Sequence, residues 1–417
     1  MLGGSPSGRT ANLPGDRCND QKPCRVFFAL IVNRLARRMR IALVTDGLFP
    51  MSVGGMQAHS TNLARSLAAE GVNVVLVYPQ QSDVSPNRVL AQLDIPAASA
   101  RLIPAPWPSM PPFPGHYVAE LWSYSARVKE RLEKEKDIDW IYVQGLCGMA
   151  LMTGRRSEMP PIAVNLHGLE MFQLAPTLRE SAQQLFLRPP ARFSARKADL
   201  CVSLGGGTTR MLRSIGVPAD RIAEIPVGID GAWALHLPRP VRRLRRLLFV
   251  GRYERRKGIE PLSDVVARLH GKTEFEFDFV GPIPLEHQIV GKGIRYWGMV
   301  SDRQQLGQIM DDCEIVVCPS YAEGMPTVIL EGMARGLAVI ATNVGAVDEL
   351  VDDRNGWLIK PLDTTALENA IRQSLSVSDD QLYARKKASL ERFGTRFRWD
   401  QAAKSTVNAL NSWKGAK

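Results

Sequence analysis

The segment from Cys318 to Gly345, CPSYAEGMPTVILEGMARGLAVIATNVG, admits few folds. The apolar run Ile315–Val316–Val317–Cys318 stops at Pro319, and a Tyr-Ala-Glu-Gly loop follows. Pro326 stands where a helix begins, because its fixed φ and missing N–H are harmless there. The helix predicted over Thr327–Arg335 ends at Gly336, and Ala338–Ala341 resumes as a buried strand. Strand, loop, helix and strand in this order aim the free N–H groups of a helix start past the carboxyl end of a parallel strand. An anion binds there without a metal.

Glu323 lies just before that helix and Glu331 lies on it. One carboxylate can face a group beyond the phosphates while the other accepts two hydroxyls, such as those of a ribose. Sugar, diphosphate, ribose and base follow one another in this order in a nucleotide-sugar. Solvated helix carboxylates would look the same, so this stretch alone leaves both readings open.

A chain of 417 residues exceeds one ordinary core and predicts two domains. Strands rich in Val, Ile and Leu alternate with helical stretches through both halves, which predicts an α/β class with parallel sheets. The formal net charge is +11, and residues 1–38 hold seven Lys or Arg against two Asp. A second basic cluster, Arg239, Arg242, Arg243, Arg245 and Arg246, precedes a strand at mid-chain. Such clusters suit membrane headgroups or solvated linker charge. No nucleic-acid module accompanies them, so no nucleic-acid partner is expected. The six cysteines lack paired metal-ligand spacing, and four sit in or beside apolar runs, as small buried hydrophobes of a reducing compartment do.

Along the chain, the apolar run Val26–Val32 is too short to span a bilayer, and the basic stretch after it is no cleavage site. Met39 is the expected natural start, with a basic membrane arm as the alternative. Arg40–Asp46 then reads as a strand, Gly47–Gly55 as a glycine-containing loop, Gln57–Glu70 as a helix and Val72–Tyr78 as a strand. This unit lacks the dinucleotide fingerprint G-x-G-x-x-G, which disfavours a nicotinamide oxidoreductase. Pro104–Gly115, with six prolines, predicts an irregular, aromatic-bearing loop. Asp137-Ile-Asp139 has a metal-holding pattern but falls at a strand's start, the wrong end for a site in a parallel sheet. His167-Gly168 closes a strand on the ligand-facing edge. After a Pro- and Arg-rich linker the pattern restarts at Leu247, with Gly251-Arg252 and Lys257-Gly258 in a strand-to-helix turn. Trp399–Trp413 reads as a final amphipathic helix.

Taken together, Glu323-Gly-x-Pro…Glu331-Gly-Met-Ala-x-Gly, Gly251-Arg252…Lys257-Gly258, Gly54-Gly55-x-Gln57, His167-Gly168 and Pro226-x-Gly228-x-Asp230 resemble the retaining glycosyltransferases of family 4 (glycosyl transferases group 1), over about residues 39 to 415. The resemblance implies the GT-B fold, two Rossmann-like domains with parallel sheets facing across a cleft. Residues 39–230 would be the N-terminal acceptor domain, 231–246 the linker and 247–395 the nucleotide-sugar domain. Residues 396–417 would pack back on the N-terminal domain, and 1–38 would be an extension.

The implied activity moves a hexose-type sugar from a nucleotide-diphosphate sugar to a glycan or lipid-linked acceptor in cell-surface polysaccharide synthesis. It would proceed with retention, no cofactor and no essential metal, in the cytoplasm or on the cytoplasmic face of the membrane. The resemblance assigns catalysis to His167, Glu323, Arg252 and Lys257. It assigns donor binding to Gly54, Gly55, Gln57, Arg252, Lys257, Val300, Glu323, Gly324, Met325, Pro326, Thr327, Val328 and Glu331. Arg252 and Lys257 would meet the diphosphate, Glu331 the ribose, Glu323 the donor sugar and Val300 the base. His167 would face the reacting sugar. Val227 stands where the family has Asn, Ala346 where it has a second Gly, and Leu337-Ala338 where Gly-x-Pro is common. Another reaction on the same fold, such as epimerisation or phosphorolysis, and a non-catalytic membrane scaffold remain as alternatives.

Overall fold

Two all-parallel sheets carry the fold of the computed structural model, which describes residues 38–80, 86–113, 115–154 and 158–413. Val26–Val32, Cys18 and Cys24 lie outside the described residues. The first sheet holds β1 (Arg40–Val44), β2 (Asn73–Pro79), β3 (Ala100–Ala105), β4 (Trp140–Gln144), β5 (Ile162–Asn165), β6 (Leu200–Ser203) and β7 (Ile222–Glu224), in the order β3-β2-β1-β4-β5-β6-β7. The second holds β8 (Arg246–Val250), β9 (Glu276–Val280), β10 (Ile294–Tyr296), β11 (Ile315–Cys318), β12 (Ala338–Thr342) and β13 (Gly356–Ile359), in the order β10-β9-β8-β11-β12-β13. In each sheet the chain works outward from one strand and then reverses. The reversal falls between β1 and β4, and again between β8 and β11. A crevice opens at the carboxyl ends at such a switch point, because the flanking loops depart to opposite faces.

Apolar strands are buried on both faces here. Leu247, Phe249, Phe277, Phe279, Ile315, Val317 and Ile340 join one core cluster, while Leu248, Val280, Val316, Cys318, Val339 and Ala341 join another on the opposite face. This alternation is the period of two that a strand imposes, and near-continuous apolar runs are its signature in a parallel sheet. Cys147, Cys201, Cys313 and Cys318 are free and buried.

The structure corrects several expectations. Pro104 and Ala105 are not loop but the end of β3, an edge strand whose outer side needs no N–H donor. The loop starts at Pro106. Neither β3, β13 nor the helix Pro86–Leu93 follows from the sequence reading. Arg246 opens β8 and is not linker. Arg245 and Arg246 are buried and ion-paired, Arg245 with Asp379 at 2.6 Å and Arg246 with Glu276. Arg239 meets Asp311 at 2.9 Å, and Arg242 lies 3.6 Å from Asp312. Four members of the mid-chain cluster are therefore engaged within the protein.

Asp139, at the amino end of the sheet, accepts from the Arg40 N–H at 2.8 Å. The final helix, Trp399–Ser412, packs against the helix Gly55–Ala69 of the first sheet's layer. Among the described residues no helix is long and apolar enough to cross a membrane.

Candidate active site

A cleft of about 1310 Å³ lies between the carboxyl ends of the two sheets. Its C-terminal wall is made by the loops after β8 and β11, the two strands that flank the switch point. After β8 the chain makes a single turn of 3-10 helix, Arg255–Lys257, and exits through Gly258 at φ +67°. A Cβ on Gly258 would fall 2.1 Å from the Pro319 carbonyl oxygen, so only glycine lets the two loops touch. That contact sets Lys257 beside Glu323, with Nζ donating to Oε1 at 2.6 Å. Arg256 reaches the other Glu323 oxygen at 3.6 Å and Glu170 of the opposite wall at 3.3 Å. Arg252 is more exposed and pairs with Glu254 at 2.9 Å.

The helix after β11 runs Thr327–Ala334, with Pro326 as its N-cap rather than its first residue. No side chain caps it, and its opening N–H groups belong to Thr327 and Val328, both on the cleft wall. One turn on, Glu331 also faces the cleft. Burial pushes its carboxyl up to about 7, against the pull of Arg303. Arg303 is itself held over the Trp233 ring at 4.6 Å, and the Trp233 indole donates to the Glu331 carbonyl at 3.2 Å.

The opposing wall centres on the turn after β5. His167 and Leu169 both have left-handed backbones, at φ 56° and 50°, and flank Gly168. Such conformations cost energy in non-glycine residues and mark places where the surroundings over-determine the chain. Here the cause is visible. A Cβ on Gly168 would fall 2.7 Å from the Gly324 nitrogen, so the two lobes meet backbone to backbone. The His167 Nε2 is shielded yet has no protein partner. Burial holds the ring's pKa down to about 4, which keeps it neutral near pH 7. Behind it, His59 stands edge-on with ring centroids 4.9 Å apart, and Trp399 of the final helix packs on His59 at 5.1 Å.

Of the residues singled out from the sequence, Gly55, His167, Arg252, Lys257, Glu323, Gly324, Met325, Pro326, Thr327, Val328 and Glu331 all line this cleft. Gly54, Gln57 and Val300 are not among its lining residues. The Gln57 amide donates to Asp46 at 2.9 Å, and Val300 packs against an apolar cluster of the C-terminal lobe. Sequence reasoning missed Arg256, Glu170, Gln173 and Arg303. Arg256 had a signal, three consecutive basic residues in one turn; Gln173 had none. Among the described residues no three His, Cys, Asp or Glu side chains converge to hold a metal ion.

The departures from the family pattern also find places. Gly228 is required because the chain passes so closely that its Cβ would lie 2.5 Å from the Trp399 nitrogen, whereas neighbouring Val227 is largely buried and lines the cleft. Ala346 has an ordinary negative φ and donates its N–H to the Gly324 carbonyl at 2.8 Å, so a methyl group there is tolerated.

Comparison with known proteins agrees with this geometry. Residues 53–233 match the family model "Glycosyltransferase Family 4", and residues 245–376 match "Glycosyl transferases group 1". TuaC of Bacillus subtilis (strain 168), named as a teichuronic acid biosynthesis glycosyltransferase, is 37% identical over 127 residues. That match spans 30% of this chain and 32% of TuaC, so about a third of the relative is covered. The sucrose-phosphate synthase (tll1590) of Thermosynechococcus elongatus superposes with a TM-score of 0.71 at 21% identity, covering 90% of this chain and 98% of that one. Anabaena Alr3699/HepE in complex with UDP-glucose superposes with a TM-score of 0.65 at 18% identity, covering 90% and 100%. The two family models together take in most of both lobes, and the chain belongs to the family 4 and group 1 glycosyltransferases, built on the GT-B fold.

Proposed function

We propose that this protein moves a hexose-type sugar from a nucleoside-diphosphate sugar to a glycan or lipid-linked acceptor in cell-surface polysaccharide synthesis. Transfer occurs with retention of anomeric configuration and without an essential metal. The observation that carries this reading is that Glu331, the start of helix Thr327–Ala334, Glu323, Lys257 and Arg252 line a single cleft together with His167 of the other lobe. A carboxylate for the ribose, a helix start with two cations for the diphosphate and a carboxylate for the sugar are the groups such a donor needs.

As the bond between the anomeric carbon and the diphosphate breaks, its electron pair stays on the diphosphate oxygen. Arg252 and Lys257 meet that growing charge, with hydrogen bonds to charged groups worth roughly 1.5–3 kcal/mol each. The helix start adds about 0.3–2 kcal/mol. These contributions speed the reaction only as far as they strengthen with the developing charge, which a closed cleft favours. Glu323 is held by Lys257 and Arg256. A carboxylate so engaged is a weak nucleophile and is better placed to accept hydroxyls of the donor sugar. The acceptor oxygen therefore attacks from the leaving-group face, and its proton passes to a diphosphate oxygen. Neutral His167 lines the cleft from the other lobe and faces the reacting sugar.

The names of TuaC and of the HepE complex with UDP-glucose support the polysaccharide context and the donor class. The test is a screen of UDP-, GDP- and dTDP-hexoses with and without a chelator. Donor consumption is followed, and the product's anomeric proton is read by NMR. Donor consumption with retained configuration in chelator is expected. Inversion, or full loss with chelator, would overturn the mechanism. Binding of nucleotide without any turnover would favour the scaffold alternative.

A further inference from the structure

The helix Leu178–Lys197 presents an apolar stripe to the outside. Leu178, Ala182, Leu185, Phe186 and Pro189 follow the spacing i, i+4, i+7, i+8 and i+11 of a single helical face, which ordinarily marks the side turned to the core. Here all five are exposed, Leu178 by 89%, Leu185 by 60% and Phe186 by 53%. The inner side carries the buried residues Ala191, Ser194 and Ala195, with the half-buried Leu187 and Phe193 packed on the core. The stripe continues onto its neighbours. Exposed Leu174 precedes the helix, and exposed Phe113 lies beside Gly115, where a Cβ would come within 3.8 Å of the Phe186 ring. An exposed apolar stripe of this kind marks an interaction site.

Its charge selects the partner. Arg179, Arg192, Arg196 and Lys197 are exposed on the same helix. Its single acid, Glu180, is turned back to the N-cap, where the Thr177 hydroxyl donates to it at 3.0 Å. Apolar side chains flanked by cations along the helix fit an anionic bilayer surface, with exposed Glu170 at the stripe's cleft-side border. Pro189 and Pro190 lack N–H groups, so the carbonyls of Leu185 and Phe186 have no helical donor. That limits insertion to the headgroup boundary, where water still reaches them.

The surface also adjoins the cleft. Gln184 donates to the Glu170 carbonyl at 3.1 Å and Arg188 to the Met171 carbonyl at 2.7 Å. Glu170 in turn lines the cleft. We infer that this face docks the protein on an anionic lipid bilayer, with Leu178, Leu185 and Phe186 at the acyl boundary and the four cations among headgroups. Docking there brings the cleft mouth to the plane where a lipid-linked acceptor is met; that consequence rests on the proposed function, whereas the docking does not.

The test is co-sedimentation of the full chain with vesicles of phosphatidylglycerol and phosphatidylcholine, and of phosphatidylcholine alone, at physiological salt. Partition onto the anionic vesicles is expected. Leu185→Glu with Phe186→Glu should weaken it by about tenfold or more, and Arg192→Glu with Arg196→Glu should weaken it too. A Leu185→Ala, Phe186→Ala pair serves if the charged pair fails to fold, with melting temperature as the check. Wild type that stays in solution, partitions equally onto phosphatidylcholine, or partitions no better than the variants would overturn the docking. So would a dimer that dissociates on the same substitutions. Donor consumption, measured separately in solution, tests the transferase reading, so the two failures are distinguishable.

Discussion

The side-chain amide of Gln173 is bonded in both directions to the backbone of Glu323: Oε1 accepts from the Glu323 N–H at 3.2 Å, and Nε2 donates to the Glu323 carbonyl at 2.6 Å. The same Nε2 donates to the Gly168 carbonyl at 2.5 Å. One side chain thus ties the His167 turn of the N-terminal lobe to the Glu323 loop of the C-terminal lobe. It fixes the distance between two residues that come from different sheets.

Gln173→Ala should therefore lower kcat about ten- to hundredfold while the donor KM changes little, since Gln173 positions Glu323 and His167 without serving the diphosphate wall. Gln173→Glu should do no better, because a carboxylate cannot donate to two carbonyls. Steady-state kinetics with saturating acceptor checks this. An unchanged kcat, or an effect confined to KM, would remove Gln173 from the positioning role.

Lys257→Ala should cut transfer by about three orders of magnitude, with a melting temperature near that of wild type. The lysine supplies charge to the leaving diphosphate and also holds Glu323 at 2.6 Å, so its loss strikes both functions. Lys257→Arg should recover part of the activity. Near-normal turnover in the alanine variant would refute the diphosphate assignment.

Much of this site is legible in the sequence because its residues are local to strand ends. Gly251-Arg252, Lys257-Gly258 and the Glu323 to Glu331 run each sit in one loop or helix start, where spacing along the chain is also spacing in space. His167 is legible for the same reason, as it closes β5. Gln173 and Arg303 are not, because their roles come from contacts across the cleft or over a Trp ring, which no periodicity encodes. The misjudged elements have a physical cause as well. β3 carries a proline, which its position at the sheet edge accommodates, and Arg245 and Arg246 read as solvent charge because their acidic partners lie 134 and 30 residues further along the chain.

Two glycines separate packing from ligand approach. Gly168→Ala would force its new Cβ into the Gly324 backbone, so the lobes must shift apart; activity should fall at least tenfold, and stability by about 1–3 kcal/mol. Gly55→Ala meets nothing within 4 Å and should leave the melting temperature unchanged, yet raise the donor KM where the phosphates approach. Paired melting and kinetic measurements check both. A Gly55→Ala protein with wild-type KM would show that the donor does not approach that backbone.

Glu331 gives a pH dependence with two opposite signs. Its carboxyl sits at about 7 in the folded protein against an ordinary 4.5, mainly because burial disfavours the charge. The folded state thus holds this proton more tightly than the unfolded chain. The stability it contributes is fully present below about pH 4.5 and is lost as pH rises through 7. Glu331→Gln, which carries no charge, should therefore raise the melting temperature at pH 8 and leave it nearly unchanged at pH 4.5. Donor binding runs the other way, because accepting two ribose hydroxyls favours the ionised form. Donor KM should rise as pH falls below about 7 in wild type, and in Glu331→Gln it should be about tenfold or more higher and flat across that range. Arg303→Ala removes the cation that opposes the burial effect and should move the wild-type inflection to higher pH. A KM that shows no inflection near neutrality, together with a Glu331→Gln protein that binds donor normally, would exclude Glu331 from the ribose.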